Sequence, residues 1–339
     1  MPILEIEDLH VHYVTPHGTA RAVDGASFVV EPGQIVGLVG ESGCGKTTLA
    51  RAIPRVMPKS AQVAGGRILF EGEDLLTLPA RRMNAHRWKE IAFIPQSAMN
   101  SLDPVYRVGR QMSEVLIERG GLDKRAARAR SAELFAMVGI EAGRLDDYPH
   151  QFSGGMRQRV AIALALALKP KLVIADEPVT ALDVVVQRQV LDVLRTLQAE
   201  LSLSVILVTH DISVVAYLCD AVVVMYAGQV AESGSCDDVL ARPDHPYTMG
   251  LCNAFPDLAR SQGKLVPIEG APPSLLDPPR GCRFAPRCPF TIERCAEPPP
   301  LTRTRPGHRA ACWRSGEAAA LRIRASRTDT WEQIGARVA

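Results

Sequence analysis

The stretch Gly-Glu-Ser-Gly-Cys-Gly-Lys-Thr-Thr-Leu-Ala, from Gly40 to Ala50, constrains this chain more than any other. It matches G-x-x-x-x-G-K-[ST] and follows the uninterrupted apolar run Ile35–Val39. A buried strand, a glycine-rich turn and a helix in that order frame a phosphate-binding loop. Glycines let successive backbone N–H groups converge on phosphate oxygens, and the N-terminus of the following helix adds its dipole. Gly40, Ser42, Gly43, Cys44 and Gly45 make the cradle. Lys46 reaches the β- and γ-phosphates, the Thr47 hydroxyl is a magnesium ligand, and Thr48 donates to the α-phosphate. A helix N-terminus acidifies a nearby thiol, but Cys44 reads more simply as a small residue tolerated in a tight turn.

A second apolar run, 172–175, ends in the adjacent carboxylates Asp176 and Glu177. Ligands of open α/β sheets bind beyond the carboxyl ends of the strands, so both acids should face the nucleotide. Asp176 is expected to organise magnesium through its water shell, and Glu177 to polarise the attacking water as a general base. A third run, 205–208, leads to His210, which by the same geometry is a candidate γ-phosphate contact. Between these runs the pattern predicts helices over 156–168 and Val184–Leu201. Continuous apolar strands alternating with helices argue for an α/β fold with a parallel sheet.

The remaining regions differ in character. Residues 1–39 are β-rich, with Leu4 and Ile6, then Leu9, Val11 and Tyr13, in alternation. Strands are expected at 67–70 and 91–95, and residues 108–140 read as helical. From about 241 the composition changes: 11 of the 25 prolines fall between Pro267 and Pro306, which marks a loop-rich C-terminal module. The stretch from Gly316 onward carries no clear pattern. A net charge of +2 demands no nucleic-acid partner. The longest apolar run, 160–168, is far short of the ~20 residues that span a bilayer. The first residues lack the basic and apolar regions of an export signal, so the eight cysteines are not expected to form a disulfide framework.

Phe152-Ser-Gly-Gly-Met-Arg-Gln-Arg159 resembles the signature of ATP-binding cassette (ABC) ATPases, and the resemblance covers residues 1–240. It implies a P-loop NTPase (RecA-like) core with an antiparallel β subdomain and a helical subdomain inserted at about 97–155. It also implies further site residues. Tyr13 matches the aromatic that stacks on adenine, and Gln96 the loop glutamine that touches magnesium and couples to membrane subunits. Asp183, in Ala181-Leu182-Asp183, matches the dimer-contact loop, and His210 the switch histidine. Ser153, Gly154, Gly155 and Gln158 match the motif that closes on the ATP of a partner subunit. The signature departs slightly from the family's usual form, with Phe152 in place of Leu and Met156 in place of Gln.

The C-terminal segment, His245-Pro-Tyr-Thr248 and the proline-rich tract at 241–315, resembles the extension of oligopeptide and dipeptide importer ATPases. The resemblance implies ATP hydrolysis coupled to peptide uptake, with nickel or another small solute as the alternative cargo. Implied partners are a second, related ATPase subunit, two transmembrane permease subunits and an extracytoplasmic solute-binding protein, with this chain peripheral on the cytoplasmic face of a bacterial membrane. A soluble cassette ATPase acting on DNA or ribosomes fits less well, because the chain has one cassette and no long coiled coil. Cys282, Cys288, Cys295 and Cys312 lie within this module, separated by five, six and sixteen residues. Four thiolates on irregular backbone suggest a metal staple. The spacing is not the C-x-x-C of structural zinc sites. Cys288-Pro289 is similar to cluster-binding segments, and some members of the subfamily carry four irons here, so a [4Fe–4S] cluster is favoured over zinc. His308 is a spare ligand, and simple reduced thiols stay open.

Overall fold

The computed structural model describes residues 1–96, 101–180, 182–254 and 268–331. The chain divides into two compact units, one built from Met1–Ile3, Val30–Ile35 and Asp74–Val208, the other from the remaining segments.

In the first unit, the parallel strands Ile91–Ile94, Leu172–Asp176 and Ser204–Thr209 pair in that order. The last two are buried at every position, which a strand covered by helices on both faces requires. Helix Gly154–Ala165 leads into Leu172–Asp176, and helix Val184–Leu201 connects it to Ser204–Thr209. The helix of Val184–Leu201 buries Val190, Leu191, Leu194 and Leu197, one stripe at helical spacing. The expected helical region 108–140 is two helices, Val108–Glu118 and Lys124–Met137. They are separated where Gly121 takes a φ of 70° and Asp123 caps the second helix through the Ala126 N–H at 2.8 Å. Phe152, at the head of the signature, packs edge-on against Phe135 with ring centroids 6.4 Å apart. The Arg144 guanidinium covers its ring at 4.7 Å. The Phe-for-Leu exchange is thus absorbed by an apolar and cationic socket.

In the second unit, Gly18–Val30, Leu4–Thr15, Ala61–Phe70 and Glu73–Asp74 form a sheet in that spatial order. Leu4–Thr15 and Ala61–Phe70 run antiparallel, with register shifts between Glu7 and Val11. Asp8 sits there at φ 46°, the mark of a bulge. The bulge explains why the buried positions change phase, from Leu4 and Ile6 to Leu9 and Val11. A second set of strands follows the order Thr302–Arg305, His308–Ala310, Gln229–Ser235, Ala221–Tyr226, Ile35–Val39, with only the last pair parallel. The C-terminal region therefore continues the sheet that carries the phosphate-loop strand.

The stretch after Gly316, patternless in sequence, contributes to this core. Helix Ala318–Ala325 buries Leu321 and Ala325, and Trp331 is fully buried with Nε1 donating to the Ala325 carbonyl at 2.8 Å. Tyr226, Tyr247 and Phe284 pack together nearby, their ring centroids 4.6 to 5.4 Å apart.

Candidate functional site

The phosphate loop runs from the buried strand Ile35–Val39 into helix Lys46–Ala52. Gly45 takes a φ of 104°, and a Cβ there would lie 2.0 Å from the Ala22 carbonyl oxygen, so only glycine fits. Lys46 is buried, its Nζ donating to the carbonyls of Gly40 at 2.7 Å and Glu41 at 2.9 Å. The ammonium is thereby centred on the loop. Ser42 and Gly43 are exposed at its tip, while Thr47 is half-buried and Thr48 buried. Tyr13, half-buried on the neighbouring strand, shares a hydrogen bond of 3.3 Å with the Thr48 hydroxyl. The structure thus brings the expected adenine platform to the base of the loop helix. Cys44 is buried, and burial pushes its thiol up despite the pull of Lys46. Acidification by the helix terminus is overridden, and the small-residue reading of Cys44 stands.

The acidic strand end lies in the other unit. Asp176 is the last residue of its strand and fully buried. Glu177 follows at φ 48°, a left-handed conformation that non-glycine residues adopt at some strain. Its carboxylate Oε2 accepts from Gln96 Nε2 at 2.8 Å and from the Thr180 hydroxyl at 3.0 Å. Its own N–H donates to the Val208 carbonyl at 2.9 Å. The turn therefore directs one carboxylate by backbone and side chain together. Gln96 and Glu177, 81 residues apart in sequence, are brought into direct contact. Thr180 was not singled out from sequence. Its only signal is its place three residues after Glu177.

Ser153 is exposed and caps helix Gly154–Ala165, its Oγ accepting from the Met156 N–H at 3.3 Å. Gly154 is half-buried, while Gly155 is buried, and a Cβ there would meet Val186 Cγ1 at 2.2 Å. The second signature glycine is therefore required by packing within this chain. Gln158, one helical turn on, is buried. Asp183 is exposed and caps helix Val184–Leu201 through the Val186 N–H at 3.0 Å, while Ala181 lies outside the described residues. His210 is exposed just beyond Ser204–Thr209.

The four C-terminal cysteines line a single cavity together with Phe284, Phe290 and Trp313. Backbone N–H groups of Phe284, Phe290 and Arg314 serve the sulfurs of Cys282, Cys288 and Cys312. Burial pushes the thiols of Cys288 and Cys312 up to about 12. Four cysteines facing one cavity are the donor set that a four-thiolate group would need, although no three of their sulfurs lie within 4.8 Å of one another. His308 does not belong to it. Its Nε2 pairs with the fully buried Glu232 at 2.6 Å, and Arg305 flanks Nδ1 at 2.9 Å. Asp244 completes that buried network, receiving Thr304 at 2.6 Å and Arg305 at 3.2 Å. His245 also borders the cavity, its ring pushed down to about 4 by burial, and its Nδ1 accepts from the Tyr247 N–H at 3.0 Å.

A glycine cradle with a centred lysine, and a strand-end glutamate held by glutamine, define a P-loop ATPase of the cassette type. Comparison with known proteins carries this further. The family model described as ABC transporter matches residues 23–180, and that of the oligopeptide/dipeptide transporter C-terminal region matches residues 231–295. A probable peptide ABC transporter ATP-binding protein of Sinorhizobium fredii is 46% identical, covering 94% of this chain and 97% of its own. The oligopeptide transport protein OppD of Haemophilus influenzae is 44% identical, covering 93% and 98%. The dipeptide transport protein DppD of Bacillus subtilis is also 44% identical, covering 92% and 94%. An ATP-binding cassette solved as a dimer in a post-hydrolysis state with ADP and phosphate superposes with a TM-score of 0.62 at 26% identity, covering 69% of this chain and 98% of that one. The chain belongs to the ATP-binding subunits of ABC transporters, in the group that carries the oligopeptide/dipeptide C-terminal region. Among the described residues no helix is long and apolar enough to cross a membrane.

Proposed function

We propose that this chain is the motor subunit of an importer of di- and oligopeptides, peripheral on the cytoplasmic face of a bacterial membrane. The observation that carries the enzymatic part is the Glu177 carboxylate, fixed by a left-handed turn and by Gln96 at 2.8 Å. A base held in one orientation before substrate arrives lowers the reorganisation needed in the transition state. In this reading Lys46 and the loop amides hold the β- and γ-phosphates of ATP, and Tyr13 stacks on adenine. Thr47, Gln96 and Asp176 organise magnesium, whose charge offsets that of the phosphates. Glu177 takes the proton of the attacking water, and His210 contacts the γ-phosphate. Ser153, Gly154, Gly155 and Gln158 close on the ATP of a second, related subunit, with Asp183 at the contact. Closure drives two permease subunits that receive cargo from a solute-binding protein. Peptide cargo is supported by the names of the relatives and by the C-terminal region they share.

Cys282, Cys288, Cys295 and Cys312 would hold a [4Fe–4S] cluster, with zinc as the second choice. When bound, such a group cross-links four backbone segments and, as a cluster, can carry one electron. Phe284, Phe290 and Trp313 line the same cavity and would shield such a group from water.

The deciding experiment is Glu177→Gln in the transporter assembled with its permeases. ATP binding should persist, while steady-state hydrolysis falls by about 100-fold or more, the usual contribution of a general base. Turnover at the wild-type rate would defeat the assignment.

A further inference from the structure

Glu41, the residue after the first glycine of the phosphate loop, is held at three points. Its carbonyl accepts from Lys46 Nζ at 2.9 Å, its N–H donates to the Tyr247 hydroxyl at 2.9 Å, and its carboxylate accepts from Arg287 at 2.8 Å. The second and third grips come from the C-terminal region, 206 and 246 residues away in sequence. Arg287 is 4% exposed, and each of its three nitrogens makes a hydrogen bond besides that to Glu41. They reach the Tyr226 hydroxyl at 3.1 Å and the carbonyls of Glu269 at 2.9 Å and Ile268 at 3.3 Å. A guanidinium fixed on four sides is a rigid anchor for the carboxylate it binds.

Arg287 precedes Cys288, and a second arginine, Arg283, follows Cys282. Arg283 is also buried and reaches the Asp24 carboxylate and the Ala227 carbonyl. Next to Ala227, the Gly228 N–H donates to the Cys44 carbonyl at 2.9 Å, within the phosphate loop. The short cysteine-lined segment 282–288 thus grips the phosphate loop at Glu41 directly and braces the turn that supports Cys44. Neither arginine touches a reacting atom.

We infer that Arg287 and Tyr247 are positioning residues for the phosphate loop, so that the cysteine-lined segment sets the affinity of this subunit for ATP. The inference rests on the reading that residues 40–48 hold the triphosphate. Glu41 carries both grips, and its displacement would move the carbonyl on which Lys46 rests. The consequence is specific: loosening Glu41 weakens ATP binding, while the chemical step, carried by other residues, keeps its rate once ATP is saturating.

The test is titration of the full-length chain with a fluorescent ATP analogue, followed by ATPase kinetics of the assembled transporter. Glu41→Gln keeps the shape of a partly exposed side chain and removes its charge, so it folds even where Arg287→Gln does not. Each variant should raise Kd for the analogue roughly tenfold, the scale of a lost hydrogen bond to a charged group. The KM for ATP should rise in parallel with kcat unchanged. The double variant should bind no more weakly than Glu41→Gln alone, since both changes break one contact. Arg287→Lys, which keeps the charge, should recover part of the affinity. A Kd for Glu41→Gln within twofold of wild type, or losses that multiply in the double variant, would overturn the inference. Lys46→Ala separates the two readings. If the wild-type chain binds no more tightly than Lys46→Ala, the nucleotide assignment itself fails; if only the Glu41 and Arg287 variants match wild type, the positioning role alone fails.

Discussion

Glu177 and Gln96 share a contact that apportions work between two side chains. The glutamine N–H₂ donates to the same carboxylate oxygen that Thr180 reaches, so Oε2 carries two hydrogen bonds. With Glu177 as the proposed general base, those two bonds fix the direction in which its carboxylate meets the attacking water. Hydrogen bonds to charged groups contribute about 1.5–3 kcal/mol each. Gln96→Ala should therefore lower kcat by at least roughly tenfold at saturating ATP and magnesium, through loss of orientation. Steady-state kinetics paired with nucleotide titration will show it, and an unaltered kcat would remove Gln96 from the positioning of the base. The placement of Asp176, Glu177, Lys46 and Thr47 was legible in sequence because each lies within a few residues of an apolar strand end, where residue type and spacing suffice. The grips on Glu41 were not. Arg287 and Tyr247 reach it from far along the chain, and nothing local to Arg287 distinguishes it from the other arginines of the module.

At the scale of elements, agreement followed periodicity. Helix Val184–Leu201 emerged with the bounds its apolar stripe suggested, and the buried strands differed from expectation only at their ends. The phase change between Ile6 and Leu9 was visible in sequence, and the bulge at Asp8 is its cause. Short 3₁₀ turns such as Ala285–Arg287 left no such trace, because three residues do not establish a period. The signature helix shows how an element can serve two masters. Gly155 matches a motif expected to meet a partner's nucleotide, yet its missing Cβ is what lets helix Val184–Leu201 approach. Gly155→Ala should accordingly destabilise the isolated chain by about 1–3 kcal/mol, the usual effect of forcing volume into a packed contact. A thermal or denaturant melt measures this without nucleotide or partner. An unchanged midpoint would mean that Val186 moves aside freely, leaving a role in nucleotide closure as the sole reason for the glycine.

For the molecule as a whole, the C-terminal region poses the question of how a proline-rich tract holds shape. Among the described residues its regular structure is slight: helix Pro246–Asn253, a two-strand hairpin, Thr302–Arg305 and His308–Ala310, a few 3₁₀ turns, and helix Ala318–Ala325. Part of the answer is apolar. Phe284, Phe290 and Trp331 are buried in one cluster with Tyr226 and Tyr247. The aromatic anchor Trp331 was illegible because a single tryptophan after an alanine-rich helix has no pattern to betray it. Part is polar, in the Glu232–His308 hydrogen bond and the Asp244–Arg305 ion pair. The four cysteines of segment 282–312 line one cavity, and Cys282 and Cys288 pack against the apolar cluster. Small scaffolds of this kind rely on cross-links. Replacing Cys288 and Cys312 by serine should therefore abolish bound iron or zinc, detected by elemental analysis, and lower the melting temperature of the full chain. The effect should exceed that of serine at Cys252, a half-buried cysteine outside the cavity, because a lost cross-link frees several segments and a lost thiol disturbs one. Equal effects at both places, with no metal in the wild-type protein, would make the four cysteines ordinary packing residues. The stability of the segment would then rest on its aromatic cluster and its polar pairs alone.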